Sequence, residues 1–153
     1  MSADLEKRLA DLGLTLPPPI RPLGAYVEAL QTGNLLFLTG MLPLSKGSPK
    51  YLGRLGAELD AEQGRAAAQL TALNALAIAR EYLGSLSRIT RVVRHSVMIA
   101  TQGDFFDQPR VADGASELFR DVFEGELSVR LVYGVASLPL GMPVELEVIF
   151  EVA

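Results

Sequence analysis

Three predicted strands of this chain carry apolar side chains at consecutive positions. These runs are Leu35-Leu36-Phe37-Leu38, Val92-Val93 and Leu131-Val132-Tyr133. Successive side chains of a strand point to opposite faces of a sheet, so each run makes both faces apolar. The chain has only two long helical segments, and two helices cover one face. The sequence therefore predicts that a second copy of the chain covers the other face.

Helix and strand signals follow one another in a simple order. One helix is predicted over Ala61–Leu83, with Asp60 and Gln63 in a capping-box arrangement, and the other over 108–123. Strands are predicted over 25–30, 35–38, 91–100, 129–137 and 144–152, the last two as a hairpin, and residues 39–53 as a loop. This order, β-β-α-β-α-β-β, predicts an α+β fold with a mixed sheet and both helices on one face.

Composition excludes several classes of site. The 153 residues include no cysteine and one histidine, so disulfides, thiolate sites and multi-histidine metal sites are excluded. A net charge of −4 argues against a broad nucleic-acid footprint. No apolar run approaches the roughly 18 residues of a membrane span, and no signal peptide is recognisable. We expect a cytoplasmic protein with a single domain over 1–153, in which 1–19 form an N-terminal extension: a short helix over 4–12 and a proline-rich connector.

Two charged residues near the C-terminus could bind or process a small anion. Arg130 begins one predicted strand, and a guanidinium there can bind a carboxylate through two hydrogen bonds. Glu145 begins the next strand and could handle a proton or a water molecule. The alternatives are a surface ion pair for Arg130 and an acidic, solvent-exposed strand face for Glu145, Glu147 and Glu151.

Three other residues leave two interpretations open. His95, within an apolar strand, is either a hydrogen-bonded core or interface residue or a catalytic group, and the first is more common. Tyr26 either lines a pocket or packs. Asp113 lies inside the second helix, either facing solvent or placed for a purpose.

The C-terminal third of the chain resembles the RidA/YjgF family. These proteins are reactive-intermediate (imine/enamine) deaminases that were once labelled L-PSP endoribonucleases. The match rests on Val129-Arg130-Leu131-Val132, Val135-Ala136-Ser137-Leu138-Pro139 and Val144-Glu145-Leu146-Glu147. Supporting matches are Gly24-Ala25-Tyr26, Leu38-Thr39-Gly40-Met41-Leu42-Pro43, Asp104-Phe105 and the helix over 69–84, so that residues 20–153 are covered.

The resemblance implies a chorismate-mutase-like fold and a homotrimer with an inner barrel and clefts between subunits. It implies that Arg130 binds the substrate carboxylate and that Glu145 orients the hydrolytic water. Other residues implied to bind the substrate are Tyr26, Gly40, Leu131, Val132 and Asp113. No metal or cofactor is implied, and the partners are a small carboxylate-bearing metabolite and other copies of the chain.

The implied activity is hydrolysis of 2-imino or 2-amino-2-enoic acids to 2-oxo acids and ammonia, a form of metabolite damage control. The alternative is a trimer that binds 2-oxo acids without catalysis. A third function, endoribonuclease, is disfavoured by the acidic charge. The chain resembles a divergent subgroup. It has Val132 where many deaminases have cysteine and Asp113 where the typical deaminase has asparagine, and its N-terminal helix and 44–55 loop are also unusual.

Overall fold

The structure is a computed structural model that describes residues 4–153. Its helices are α1 (Leu5–Asp11), α2 (Ala61–Leu83) and α3 (Gln108–Val122), with short 3₁₀ turns at Leu86–Arg88 and Pro139–Gly141. Its strands are β1 (Ala29–Thr32), β2 (Leu35–Leu38), β3 (Leu44–Ser45), β4 (Ser48–Pro49), β5 (Ile89–Ala100), β6 (Val129–Val135) and β7 (Val144–Val152). Helix α2 matches its predicted bounds because its ends carry strong signals: the capping box of Asp60 and Gln63, and Gly84 at a φ of 81°.

Five strands form one mixed sheet in the order β1-β2-β7-β5-β6, and β3 pairs with β4 apart from it. All neighbours in the large sheet are antiparallel except β5 and β6, which are parallel. Parallel neighbours need a long crossover, and α3 supplies it between these two strands. The predicted α+β fold and its element order are therefore confirmed, with the small β3–β4 ladder lying inside the predicted 39–53 loop.

The predicted hairpin between 129–137 and 144–152 is wrong. Strand β6 and strand β7 do not pair with each other, because each pairs with one edge of β5. At the end of β5, the Thr101 N–H donates to the Val135 carbonyl at 3.0 Å and the Ala100 N–H to the Pro143 carbonyl at 2.9 Å. The connection that carries the Pro139–Gly141 turn therefore crosses the end of β5. Local sequence shows that two strands follow one another, but not that a third separates them.

The first predicted strand is also displaced. Residues 23–26 are bent, and β1 begins only at Ala29. The Tyr26 N–H donates to the Gly24 carbonyl at 3.0 Å, and the Tyr26 hydroxyl accepts from the Leu23 N–H at 2.9 Å. These local bonds hold the segment in a turn, so Tyr26 lies before the sheet rather than in it.

The core lies between the sheet and the layer of α2 and α3. The inward residues Leu146, Val148 and Phe150 of β7 are fully buried. The two helices approach closely at Gly114, where an added Cβ would lie 2.1 Å from the Arg65 carbonyl oxygen. Helix α1 contributes Leu5 to the same core.

The opposite, helix-free face of the sheet is partly apolar and exposed. Its outward side chains include Leu30, Phe37, Val129, Leu131 and Tyr133, all more than a third exposed. This is the face for which the sequence predicts a second copy of the chain, and that assembly stays a prediction. No helix within residues 4–153 is both long and apolar enough to cross a membrane.

Candidate functional site

Arg130 lies on β6, the edge strand of the sheet, and its side chain points toward α3. Its Nη1 donates to Asp113 Oδ1 at 2.7 Å and to Ser116 Oγ at 3.1 Å. Asp113 and Ser116 are three residues apart on α3, so they share one face of that helix. The structure thus brings Arg130 and Asp113 together as an ion pair, in which 28% of one side chain and 42% of the other are exposed. Part of the guanidinium therefore remains available to a ligand.

His95 links this ion pair to the interior. It is 3% exposed, and its two ring nitrogens lie 2.7 Å from Ser116 Oγ and 2.7 Å from Ser128 Oγ. Burial, together with the nearby Arg130 charge, lowers the pKa of His95 to about 4. His95 is therefore a neutral, hydrogen-bonded residue at neutral pH, which agrees with the core interpretation of the sequence.

A cavity of about 300 Å³ opens beside Arg130, between α3 and the start of β6. Apolar and hydroxyl side chains line it, among them Val92, Ser116, Phe119, Leu127 and Ser128, together with His95 and the charged residues Asp113 and Arg130. Its volume suits a small metabolite. In the part of the chain that the structure describes, no three potential metal ligands come together.

Glu145 lies on β7, on the helix-free face. A Cβ added at Gly40 would lie 2.9 Å from Glu145 Oε1, so Gly40 leaves the space that this carboxylate occupies. Burial raises the pKa of Glu145 above its usual value. Its Oε2 is buried and has no hydrogen-bond partner among residues 4–153. A buried, unpaired carboxylate oxygen is costly, and such atoms commonly indicate a functional position.

Tyr26 and Gly40 line one small pocket with Ile20, Pro22 and Met41. Tyr26 is 47% exposed, so nearly half of its surface is free. The structure thus groups two of the predicted residues with Glu145: Gly40 directly, and Tyr26 through the Gly40 segment.

Within one chain, the Arg130 and Glu145 groups lie on opposite faces of the sheet. Arg130 aligns with His95 and Val148, which face the helices, whereas Glu145 aligns with Met98 and Tyr133, which face away. Arg130 and Glu145 are also separated by three residues in the strand direction, since they align with His95 and Met98 of β5, and by two strand spacings across the sheet. Each separation is about 10 Å. Leu131 and Val132 also lie on opposite faces of the sheet: Leu131 is on the helix-free face, and Val132 packs against the core.

Sequence reasoning did not identify Ser116, Ser128 or Asn74. The i, i+3 spacing of Asp113 and Ser116 is a usable signal, because it places both on one face of α3. Asn74 is buried in α2, and its Nδ2 donates to the Leu42 and Leu44 carbonyls at 2.9 and 3.0 Å. Asn74 thereby holds the segment that follows Gly40. The only sequence signal for this role is a polar residue inside an alanine-rich helix.

Comparison with known proteins gives the same family as the motifs. A family model described as "YjgF/chorismate_mutase-like, putative endoribonuclease" matches residues 6–151. Protein TCP17 of Trypanosoma cruzi is 36% identical over 152 residues, which are 98% of this chain and 95% of that protein. The mouse 2-iminobutanoate/2-iminopropanoate deaminase is 25% identical over 135 residues, 83% of this chain and 81% of that protein.

Solved structures agree. The Agrobacterium tumefaciens protein Atu1372, described as having unknown function, has a TM-score of 0.90 and 36% identity, over 99% of this chain and 94% of its own. Escherichia coli TdcF, solved with bound serine, has a TM-score of 0.66 and 22% identity, over 91% of this chain and 96% of its own. The fold is therefore that of the chorismate-mutase-like YjgF/RidA proteins. This chain belongs to the YjgF/RidA family.

Proposed function

We propose that this protein hydrolyses 2-imino acids, formed directly or from 2-amino-2-enoic acids, to 2-oxo acids and ammonia. The overall reaction adds one water molecule across the C2–nitrogen double bond and then breaks the C2–nitrogen bond. It consumes no electrons and needs no group beyond water and a proton carrier. The chain offers an arginine for the carboxylate and a glutamate for the proton.

The placement of Arg130 and Glu145 on opposite faces of the sheet is the observation that carries this proposal. One subunit cannot apply both groups to one small molecule, because the sheet separates them. The apolar, exposed helix-free face next to Glu145 is suited to packing against another copy. We therefore propose a homotrimer in which the Arg130 edge of one subunit meets the Glu145 face of its neighbour.

Arg130 positions the substrate in this arrangement. Asp113 and Ser116 occupy only Nη1 of the guanidinium. Among the described residues, Nε and Nη2 donate to no protein acceptor, and these two form the side-on edge that accepts a carboxylate in parallel hydrogen bonds. Holding the carboxylate there places C2 at a constant distance from the groups that act on it.

Glu145 acts on the water. Burial raises the pKa of Glu145, so its carboxylate accepts a proton more readily and is a better general base. As the water oxygen bonds to C2, one water proton passes to Glu145. That proton passes to the nitrogen and gives the carbinolamine, whose hydroxyl proton then moves through Glu145 to the nitrogen as the C2–nitrogen bond breaks and ammonia leaves. Backbone groups near Leu131 and Val132 of the edge strand contact the substrate nitrogen, and Tyr26 and Gly40 shape the Glu145 side.

Relatives support the reaction class. The mouse relative carries the name of a 2-iminobutanoate/2-iminopropanoate deaminase. The family member from Escherichia coli holds serine, a small amino acid. Both agree with a small metabolite that carries a carboxylate beside a nitrogen-bearing carbon.

A coupled assay tests the proposal. An amino-acid dehydratase generates the 2-imino acid, and the decay of the imine is followed with and without the purified protein. We expect Arg130→Ala to lower kcat/KM at least about 100-fold, because it loses the charge-assisted carboxylate contact and the orientation it provides. Glu145→Gln should lower kcat about 100-fold and remove the acidic limb of the pH profile, since burial raises the pKa of Glu145 and that group would set this limb.

Arg80→Ala is the matched control, since Arg80 pairs with Glu6 on the helical side of the molecule and should leave the rate unchanged. Wild-type protein that gives only the uncatalysed rate contradicts the proposal. If that protein still binds 2-oxo acids through Arg130, the chain is the non-catalytic binder instead.

A further inference from the structure

The Arg130–Asp113 ion pair lies at the cavity rather than away from it. Both residues line the cavity, and both side chains remain partly exposed. An arginine meant to bind a simple anion is best left without a carboxylate partner, because the partner cancels its charge. Here the carboxylate lies 2.7 Å from the guanidinium that would bind the ligand. The site therefore presents a dipole, not an isolated positive charge.

Each member of the pair keeps hydrogen-bonding capacity for a ligand. On the arginine it is the Nε–Nη2 edge, as described above. On Asp113 it is Oδ2, which accepts no hydrogen bond from residues 4–153. A ligand lying across the pair can thus donate to Asp113 and accept from Arg130 at the same time.

The rest of the cavity does not restore a positive potential. Three carboxylates and two guanidinium groups border it: Asp113, Glu117, Glu126, Arg120 and Arg130. Arg65 lies outside that border and pairs with Glu117 at 2.6 Å. The buried imidazole of His95 adds no charge at neutral pH, since its pKa is lowered to about 4. A purely anionic ligand therefore gains little from this cavity beyond Arg130 itself.

We infer that Asp113 and Arg130 together select a zwitterionic ligand, so that the substrate is bound as the protonated 2-iminium acid, with its carboxylate on Arg130 and its nitrogen on Asp113. This inference rests on the proposed deaminase function and specifies which form of the substrate the site takes. The 2-amino-2-enoic acid, whose nitrogen is uncharged, and the 2-oxo acid, which has no nitrogen, bind less tightly.

The chemistry of the reaction favours this form. The cationic iminium carbon is attacked by water more readily than a neutral imine carbon, and a carboxylate beside the nitrogen stabilises its positive charge. Water addition at C2, with one proton passing to Glu145, gives a carbinolamine. Return of that proton to nitrogen, cleavage of the C2–nitrogen bond and transfer of the hydroxyl proton to the departing ammonia give the 2-oxo acid and ammonium, so charge and atoms balance. The product acid no longer donates to Asp113, which weakens its retention.

Three stable ligands with one carbon skeleton test the inference by calorimetry at pH 7. These are 2-aminobutanoate, 2-hydroxybutanoate and 2-oxobutanoate, which differ only in the group on C2. Wild-type protein should bind 2-aminobutanoate about tenfold more tightly than 2-oxobutanoate, the value of one charge-assisted hydrogen bond. Asp113→Asn should reverse this order, with 2-aminobutanoate losing about tenfold and 2-oxobutanoate gaining affinity.

Glu6→Gln is the matched control. Glu6 on α1 also pairs with an arginine, Arg80, at 3.4 Å, but neither residue lines the cavity. This variant should leave the preference unchanged. An equal gain for all three ligands in Asp113→Asn overturns the inference, since Asp113 would then only compete for Arg130, and so does an unchanged preference. Binding is measured without turnover, so a protein with the expected preference but no imine hydrolysis rejects the proposed function and not the zwitterion selectivity.

Discussion

At the scale of single residues, the Arg130 side is organised by hydrogen bonds that cross three elements. Arg130 on β6, Ser116 on α3 and His95 on β5 form one continuous chain of polar contacts. Neutral imidazole offers one donor and one acceptor, and the two serine hydroxyls satisfy both. A charged ring could not keep an acceptor nitrogen, and it would face Arg130 inside the protein. The folded state therefore requires neutral His95.

This requirement predicts an acid-dependent loss of stability. The folded-state pKa of His95, about 4, lies below its unfolded value of about 6.5. The contribution of His95 is fully present above the unfolded pKa, and it is lost as the pH falls from 6.5 toward 4, by about 3 kcal/mol in total. In His95→Gln, the free energy of unfolding should fall less steeply over this range, as measured by urea denaturation at several pH values.

His95 is the only histidine of the chain, so no other imidazole contributes to the difference between the two proteins. Arg130 and Asp113 are the charged groups that face the same network, and both proteins contain them. A constant difference in unfolding free energy from pH 7 to pH 4 would show that His95 is not held neutral by the fold.

At the scale of elements, α2 supports the Glu145 side although none of its residues lies there. The segment after Gly40 leaves the sheet and needs partners for its carbonyl groups. Asn74 provides them by donating to Leu42 and Leu44. The position of Gly40 against Glu145 therefore depends on a residue one layer away.

Truncating this amide should destabilise the protein and displace the segment. Asn74→Ala removes two buried hydrogen bonds, and we expect a loss of about 2–3 kcal/mol in the free energy of unfolding, together with lower kcat in the folded protein. Thr71→Ala is the comparison, because Thr71 is equally buried in α2 but its hydroxyl bonds only to Ala67 of the same helix. A similar loss in both variants would mean that Asn74 contributes packing rather than loop position.

At the scale of the whole molecule, the helix-free face determines how copies assemble in the proposed trimer. Charged pairs and apolar side chains share this face, such as Arg94 with Glu147 at 3.2 Å beside Leu131 and Tyr133. Such a mixture is typical of subunit interfaces, where polar pairs determine register and apolar area stabilises the contact.

A pair of tyrosines tests this assembly. Tyr133 on the helix-free face and Tyr82 on α2 are 49% and 47% exposed, so they differ in location and hardly in accessibility. Wild-type protein should have about three times the chain mass of 16.5 kDa by light scattering. Tyr133→Asp should dissociate the oligomer and abolish deamination, because it buries an unpaired charge. Tyr82→Asp should remain trimeric and active, whereas a trimeric Tyr133→Asp would place the interface elsewhere.

Much of the local structure follows from short-range patterns. The capping box at Asp60 and the glycine at position 84 locate α2, because these interactions lie within the helix ends. Alternation along β7 places Glu145, Glu147 and Glu151 on one face and Val144, Leu146 and Val148 on the other, as their burial confirms. The bent segment at Tyr26 was missed because its hydroxyl accepts from the Leu23 backbone, an interaction with no periodic signal.

The sequence by itself determined the order of the elements, the faces of each strand and the family motif, because all of these depend on neighbours along the chain. Only the tertiary structure decided that β5 separates β6 from β7, and only the register of these three strands places Arg130 and Glu145 on opposite faces. Strand order depends on which edges remain free once the helices pack, a long-range property that no local pattern encodes. For the same reason, local patterns do not predict the contacts of Arg130 with Asp113 and Ser116, which depend on the packing of α3 beside β6.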